Sequence, residues 1–156
     1  MTNQYVGKSI TRVDGVEKVT GRAIYSVDFA LPGMLHGAVL RSPWPHARIL
    51  DVDLSEARKV LGVKVAVAGK DFPFTFGAMI KDQPFLALDK VRYVGEPVAA
   101  VAAETELAAQ EAVEKIRVRY EALPAVFDPR EALADGAPLL HEHLGEYSRS
   151  GPYEPV

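Results

Sequence analysis

Residues 98–103, Val-Ala-Ala-Val-Ala-Ala, are an unbroken run of small apolar side chains, and this run constrains the fold more than any other feature. It reads as a strand buried on both faces. Just beyond it the period changes. Ala109, Ala112, Val113 and Ile116 recur at i, i+3, i+4 and i+7, while Gln110, Glu111, Glu114 and Lys115 face the other way, the signature of an amphipathic helix. Thr105 is placed to cap it, and Glu111 and Lys115 make a pair of favourable polarity, worth about 0.2–0.5 kcal/mol. Ile116, Val118 and Tyr120 then alternate with Arg117 and Arg119, so the helix hands over directly to a strand.

The chain before this point is divided by turn residues. Through Gly21 it is polar and broken by Asp14-Gly15 and Thr20-Gly21, and reads as an extended arm. Pro32-Gly33 suits the centre of a type II turn, because glycine takes positive φ without steric cost. A strand is expected over residues 34–40. Another follows where Leu50, Val52 and Leu54 alternate with Asp51 and Asp53. Ser55 is placed to cap a short helix through Val60, and residues 63–67 alternate again as a strand. Residues 69–85, with no steady period, read as a long excursion or a small hairpin. A short strand over 91–94 precedes the turn Gly95-Glu96-Pro97. Asp128-Pro129-Arg130-Glu131 signals a helix start, with Asp at the cap, proline where its missing N–H is no loss, and Glu positioned to reach back. That helix ends near Asp135-Gly136. The order β, β, α, β, β, β, α, β, α indicates an α+β fold, with two to three helices packed on a mixed sheet.

Bulk properties exclude whole classes of function. A chain of 156 residues fits one domain with a core of its own. Apolar residues at 48% and charged residues at 25% describe an ordinary folded chain. The net charge of −3 supplies no basic face for phosphates, which argues against nucleic acid as a partner. There is no cysteine, so disulfides, thiolate nucleophiles and iron–sulfur ligation are all removed. The start carries no apolar segment followed by a small-residue cleavage site, and no apolar run approaches the roughly 20 residues of a spanning helix. The expected location is the cytoplasm.

Candidate chemistry is sparse. His141-Glu142-His143 is the one place where metal-ligating types crowd together, and further ligands would come from Glu146 or from afar. The favoured alternative is a solvated loop. His36 and His46 flank Arg41-Ser42-Pro43-Trp44-Pro45, where Arg41 and Trp44 could hold an anionic or aromatic group, meet another protein surface, or pack as a proline-fixed turn with Arg41 laid over the ring. Glu96 sits between two backbone-constraining residues beside a buried strand, a setting that suits a general base or a carboxylate bonded to backbone N–H groups. Phe72, Phe74 and Phe76 alternate and mark an interaction site if exposed. Neither a dinucleotide glycine fingerprint, a P-loop nor a serine-hydrolase elbow occurs. No residue is assigned to catalysis, cofactor binding or metal ligation; Arg41, Trp44, Phe72, Phe74 and Phe76 are the interface candidates.

Several blocks together resemble a known family. Residues 12–25, Arg-Val-Asp-Gly-Val-Glu-Lys-Val-Thr-Gly-Arg-Ala-Ile-Tyr, open a match that continues through Pro32-Gly33-Met34-Leu35-His36-Gly37, Arg41-Ser42-Pro43 and Pro45-His46-Ala47-Arg48-Ile49. It resumes at residues 91–102, Val-Arg-Tyr-Val-Gly-Glu-Pro-Val-Ala-Ala-Val-Ala, and closes with residues 120–126 and Asp128-Pro129. In this order and spacing they resemble the amino-terminal α/β-hammerhead segment of the large, molybdopterin-binding subunit in the xanthine dehydrogenase and aldehyde oxidase family. The resemblance implies a hammerhead domain over residues 22–140, after an arm of 1–21 and before a linker of 141–156 leading to a molybdenum-binding region outside this chain. It implies membership in a molybdenum hydroxylase acting on aldehydes, purines, N-heterocycles or aromatic acyl-CoA thioesters. The implied cofactors are molybdopterin cytosine dinucleotide with molybdenum, iron–sulfur clusters and often a flavin, the latter two on partner subunits or other domains. The family's catalytic Glu and pterin loops lie beyond the hammerhead, so the resemblance implies a scaffold role and carries no catalytic residue onto this chain. The competing expectation is a free-standing ligand-binding or adaptor module.

Overall fold

Strand β7, Pro97–Ala103, is the centre of the molecule's larger layer. It opens on proline, where no ladder N–H is needed, and its small side chains let neighbours approach on both sides. β1, His36–Arg41, and β3, Val63–Ala68, flank it in antiparallel register, giving the order β1-β7-β3. The computed structural model describes residues 5–77 and 81–142. Its chain divides into two units at Met34 and Leu35.

In the second unit, helix α2, Glu106–Lys115, covers one face of this sheet. Ala108, Ala109 and Ala112 are buried in one cluster with Ala99, Val101 and Ala103 of β7, methyl groups meeting methyl groups across a narrow gap. The Thr105 Oγ1 accepts a hydrogen bond from the Ala108 N–H at 3.1 Å, as its position forecasts, and Lys115 Nζ lies 2.6 Å from Glu111 Oε1. The helix stops at Ile116, and β8, Arg117–Ala122, begins at the next residue.

A second three-stranded layer has the order β6-β2-β8, where β2 is Ala47–Asp53 and β6 is Lys90–Val91. Its core joins Ala47, Ala87, Val91 and Val98, and Val52 and Val118 pack against both clusters. The excursion resolves into a two-stranded hairpin, β4 at Thr75–Phe76 and β5 at Gln83–Pro84. The α+β class holds, but among the described residues every ladder is antiparallel and the strands are split among three sheets, where one mixed sheet is expected. The reason is in the connection: α2 carries the chain from β7 to β8 in the other sheet, so it makes no parallel crossover within either.

Three local expectations change. Between Ile49 and Asp51 the β2–β8 register shifts, leaving Leu50 half exposed while Ile49 turns to the second core. A bulge adds one residue and reverses the facing of everything before it, so the simple alternation breaks. Residues 57–59 form a 3-10 turn, and Ser55 does not cap it; its own N–H donates to the Asp53 carboxylate at 2.9 Å. The strand expected over 91–94 ends at Val91, because the Arg92 N–H goes to the Glu96 side chain instead of a strand partner. At the other end of the chain, the Asp128 cap is realised: its Oδ1 accepts from the Arg130 N–H at 2.7 Å, starting α3, Pro129–Ala132.

In the first unit, the Leu31 carbonyl accepts from the Met34 N–H at 3.0 Å with Gly33 at φ +77°, the forecast type II turn. The stretch read as an extended arm contains one turn of helix, α1, Gly15–Val19. Local bonds stabilise it: Lys18 Nζ lies 2.6 Å from Asp14 Oδ2, and the Thr20 hydroxyl donates to the Val16 carbonyl at 2.7 Å. None of its residues is buried.

Candidate functional site

The richest arrangement of polar and aromatic groups in the second unit gathers around the turn from Arg92 to Glu96. Gly95 takes φ +90°, which lets the chain reverse tightly before the Pro97 strand start. The turn is tied to the end of β1 from several directions. The Ser42 N–H donates to the Glu96 carbonyl at 2.9 Å, the Gly95 N–H donates to the Ser42 carbonyl at 2.8 Å, and Arg41 donates to the Gly95 carbonyl at 2.9 Å. Arg41 therefore braces a turn 54 residues away, and the expected placement over the Trp44 ring is not what the guanidinium does. Trp44 itself is 42% exposed, its backbone bracketed by the Ser42 hydroxyl, which accepts from its N–H and donates to its carbonyl.

Glu96 is the buried carboxylate of this site, 4% exposed. Its Oε2 accepts from the Arg92 N–H, and its Oε1 lies 3.7 Å from the Arg92 guanidinium. Burial pushes its carboxyl above the usual glutamate range, and the Arg92 backbone bond and charge only partly oppose this. Of the two sequence readings, the structural one is realised: the carboxylate is spent on backbone N–H and guanidinium. Nothing in the sequence marks Arg92, because its role depends on this turn closing.

A cleft of about 470 Å³ opens beside the turn, walled by Phe76, Phe85, Tyr93 and Pro97, with Arg92, Glu96 and His141 among its polar lining. Phe76 and Phe85 stack with centroids 4.6 Å apart, which ties the β4–β5 hairpin together. Phe72, Phe74 and Phe76 are 45%, 64% and 44% exposed, so the aromatic alternation does face outward.

Among the described residues the histidines are distributed rather than gathered. His36 starts β1 opposite Ala103, exposed. His46 is buried, its Nδ1–H donating to the Pro124 carbonyl at 2.6 Å, while Nε2 has no partner. His141 Nε2 stands 3.9 Å from Asp82, and Glu142 pairs with Lys90 at 2.9 Å. His143 and Glu146 lie outside the described residues. Among the described residues no three His, Asp or Glu side chains are grouped to hold a metal ion. Glu142 is thus paired with Lys90 and not simply solvated. No helix among the described residues is long and apolar enough to cross a membrane.

The face of the β1-β7-β3 sheet opposite α2 is partly exposed over two rows within the described residues of the second unit. Val39 pairs with Ala100 and Ala100 with Val67; Gly37 pairs with Ala102 and Ala102 with Val65. All six residues are apolar or glycine, and Val39 and Val65 are 42% and 47% exposed.

Comparison with known proteins places these features. Residues 20–124 match the family described as aldehyde oxidase and xanthine dehydrogenase, a/b hammerhead domain. The chain is 49% identical over 136 residues to a probable xanthine dehydrogenase subunit of Bacillus subtilis (strain 168), covering 86% of this chain and 18% of that protein. It is 43% identical to the nicotinate dehydrogenase large molybdopterin subunit of Eubacterium barkeri, covering 88% of this chain and 33% of that protein. The crystal structure of quinoline 2-oxidoreductase from Pseudomonas putida 86 superposes with a TM-score of 0.79 at 37% identity, over 87% of this chain and 19% of that one. A Cu,Mo-CO dehydrogenase superposes with a TM-score of 0.83 at 35% identity, over 88% of this chain and 18% of that one. The chain thus spans a third or less of the length of each of these relatives.

Proposed function

Since the chain belongs to the a/b-hammerhead family of the aldehyde oxidases and xanthine dehydrogenases, we propose that it serves as a non-catalytic scaffold in a molybdenum-dependent oxidoreductase of the cytoplasm. Residues 22–140 form the supporting body and 141–156 a linker toward the molybdopterin-binding domains of the large subunit. In this reading an iron–sulfur subunit, and in some enzymes a flavin subunit, complete the assembly, and the pterin is the cytosine dinucleotide. The described residues of this chain do not fit those groups themselves. There is no cysteine for an iron–sulfur cluster, the described carboxylates and imidazoles form no ligand set, and Glu96 is already committed to Arg92. No reaction step is assigned to this chain.

The partly exposed face of the β1-β7-β3 sheet carries this reading. An uncharged sheet surface with two half-exposed valines is stabilised by covering it, and a chain that works alone gains nothing from leaving it open. Arg41, Trp44 and the Phe72, Phe74 and Phe76 row are further surfaces for the same assembly. The test is co-expression with the molybdopterin-binding region of a large subunit of this family. A complex should elute together from a sizing column, and the pair Val39→Glu and Val65→Glu should abolish it. Separate elution of the unsubstituted chain refutes the reading.

A further inference from the structure

Residues 139–142 lie against a part of the chain some fifty positions earlier, through a set of contacts that the scaffold reading does not use. Lys90 is nearly buried, its side chain 7% exposed, and its Nζ donates to Glu142 Oε1 at 2.9 Å and to the Leu139 carbonyl at 3.5 Å. Arg92 donates from Nε to the Leu140 carbonyl at 3.2 Å and from a terminal nitrogen to the Lys90 carbonyl at 3.1 Å. Its guanidinium is 17% exposed, with Asp89 at 3.6 Å and Glu96 at 3.7 Å. Beneath it, the Glu96 carboxylate also holds the Arg92 backbone N–H.

The two sides of this contact are unequal. Both cations are largely stripped of water, so each depends on protein acceptors for its hydrogen bonds. Glu142 is 59% exposed. The segment also borders three clefts. Leu140 and His141 line the one beside Phe76 and Phe85; Leu140 and Glu142 line a second beside Thr75; Leu139 and Glu142 line a third beside His46 and Arg48.

We infer that residues 139–142 form a strap latched onto the domain by Lys90 and Arg92, with Glu96 as the positioning residue that holds Arg92 from beneath. The device needs no molybdenum partner, so its test is made on this chain alone and is independent of the scaffold reading.

Backbone 15N relaxation reads it directly. In the unsubstituted chain residues 139–142 should show order parameters near the rigid value of about 0.85, and the pair Arg92→Gln and Glu142→Gln should bring them below about 0.6 while β7 is unchanged. Glu96→Ala should loosen the same four residues, and Glu96→Gln, which keeps a neutral acceptor oxygen, should restore them. If the double variant fails to fold, Glu142→Gln alone removes an exposed carboxylate and should speed proteolytic cleavage after Leu139 or Leu140 about fivefold. A strap already mobile in the unsubstituted chain overturns the inference, as does one equally ordered and equally resistant in these variants.

Discussion

Gly69 meets the backbone of Ala87 so closely that a Cβ built on the glycine falls 2.1 Å from the Ala87 carbonyl oxygen. That oxygen has little room to move, because the Ala87 N–H is bonded to the Pro97 carbonyl at 2.7 Å and the Ala87 side chain is buried in the second core. The glycine is required by space and not by a left-handed backbone, since it is absent from the positive-φ residues. Gly69→Ala should cost about 1–3 kcal/mol, the range for overpacking a filled site. In a domain of this size the melting temperature should fall by about 2–4 °C for each kcal/mol. Calorimetry showing no loss would mean that the β3 end and the β5–β6 connection are not in contact.

The helix-to-sheet contact sets a second expectation. Ala112 is 0% exposed, facing Ala99, Val101 and Ala103 across a layer made of methyl groups. Ala112→Leu should destabilise the chain by about 1–3 kcal/mol by forcing α2 away from β7. Leu107, on the same helix but 74% exposed, provides the comparison: Leu107→Ala should change stability by no more than about 0.5 kcal/mol. Equal effects in urea titrations would contradict the assigned face.

The burial of Glu96 ties stability to pH. Its carboxyl is held above the ordinary range chiefly by desolvation, so the folded chain keeps a proton that the unfolded chain has released. That contribution is complete below the unfolded glutamate value of about 4.3 and is lost as pH rises through the folded value. Glu96→Gln removes the titration while keeping an acceptor for the Arg92 N–H. Its melting temperature relative to the unsubstituted chain should therefore improve as pH rises from about 4 toward neutrality. A constant difference would show that Glu96 titrates as it does in water.

Metal content gives a fourth expectation. With no cysteine and no ligand cluster among the described residues, the purified chain should carry no stoichiometric molybdenum, iron or zinc, and chelator treatment should leave its melting temperature unchanged. Stoichiometric molybdenum by elemental analysis would overturn the scaffold assignment.

What could be read without coordinates is local. The caps at Thr105 and Asp128 close within three residues, the Glu111–Lys115 pair spans one helical turn, and the β7 run announces a strand; the burial expected on both its faces holds for Ala99, Val101 and Ala103 under α2, while Ala100 and Ala102 on the other face are partly exposed. The chain's own order of periods was enough for the α+β class, and the spaced blocks from Arg12 to Asp128 were enough for the family. The interface candidates followed from residue type alone, and Arg41, Trp44, Phe72, Phe74 and Phe76 are all exposed.

Tertiary structure decided the rest. The bulge between Ile49 and Asp51 exists because β2 must register against β8, nearly seventy residues on, and no local period records that. Arg41 reaches Gly95, Lys90 is buried against Glu142, and Val39 and Val65 on the sheet's second face are about half exposed, although nothing in the neighbouring residues distinguishes these positions. The physical reason is range. A hydrogen bond closed within a helical turn depends on the side chains beside it, whereas the desolvation of a lysine or the pairing of an arginine depends on which distant backbone arrives there, and only the folded chain determines that.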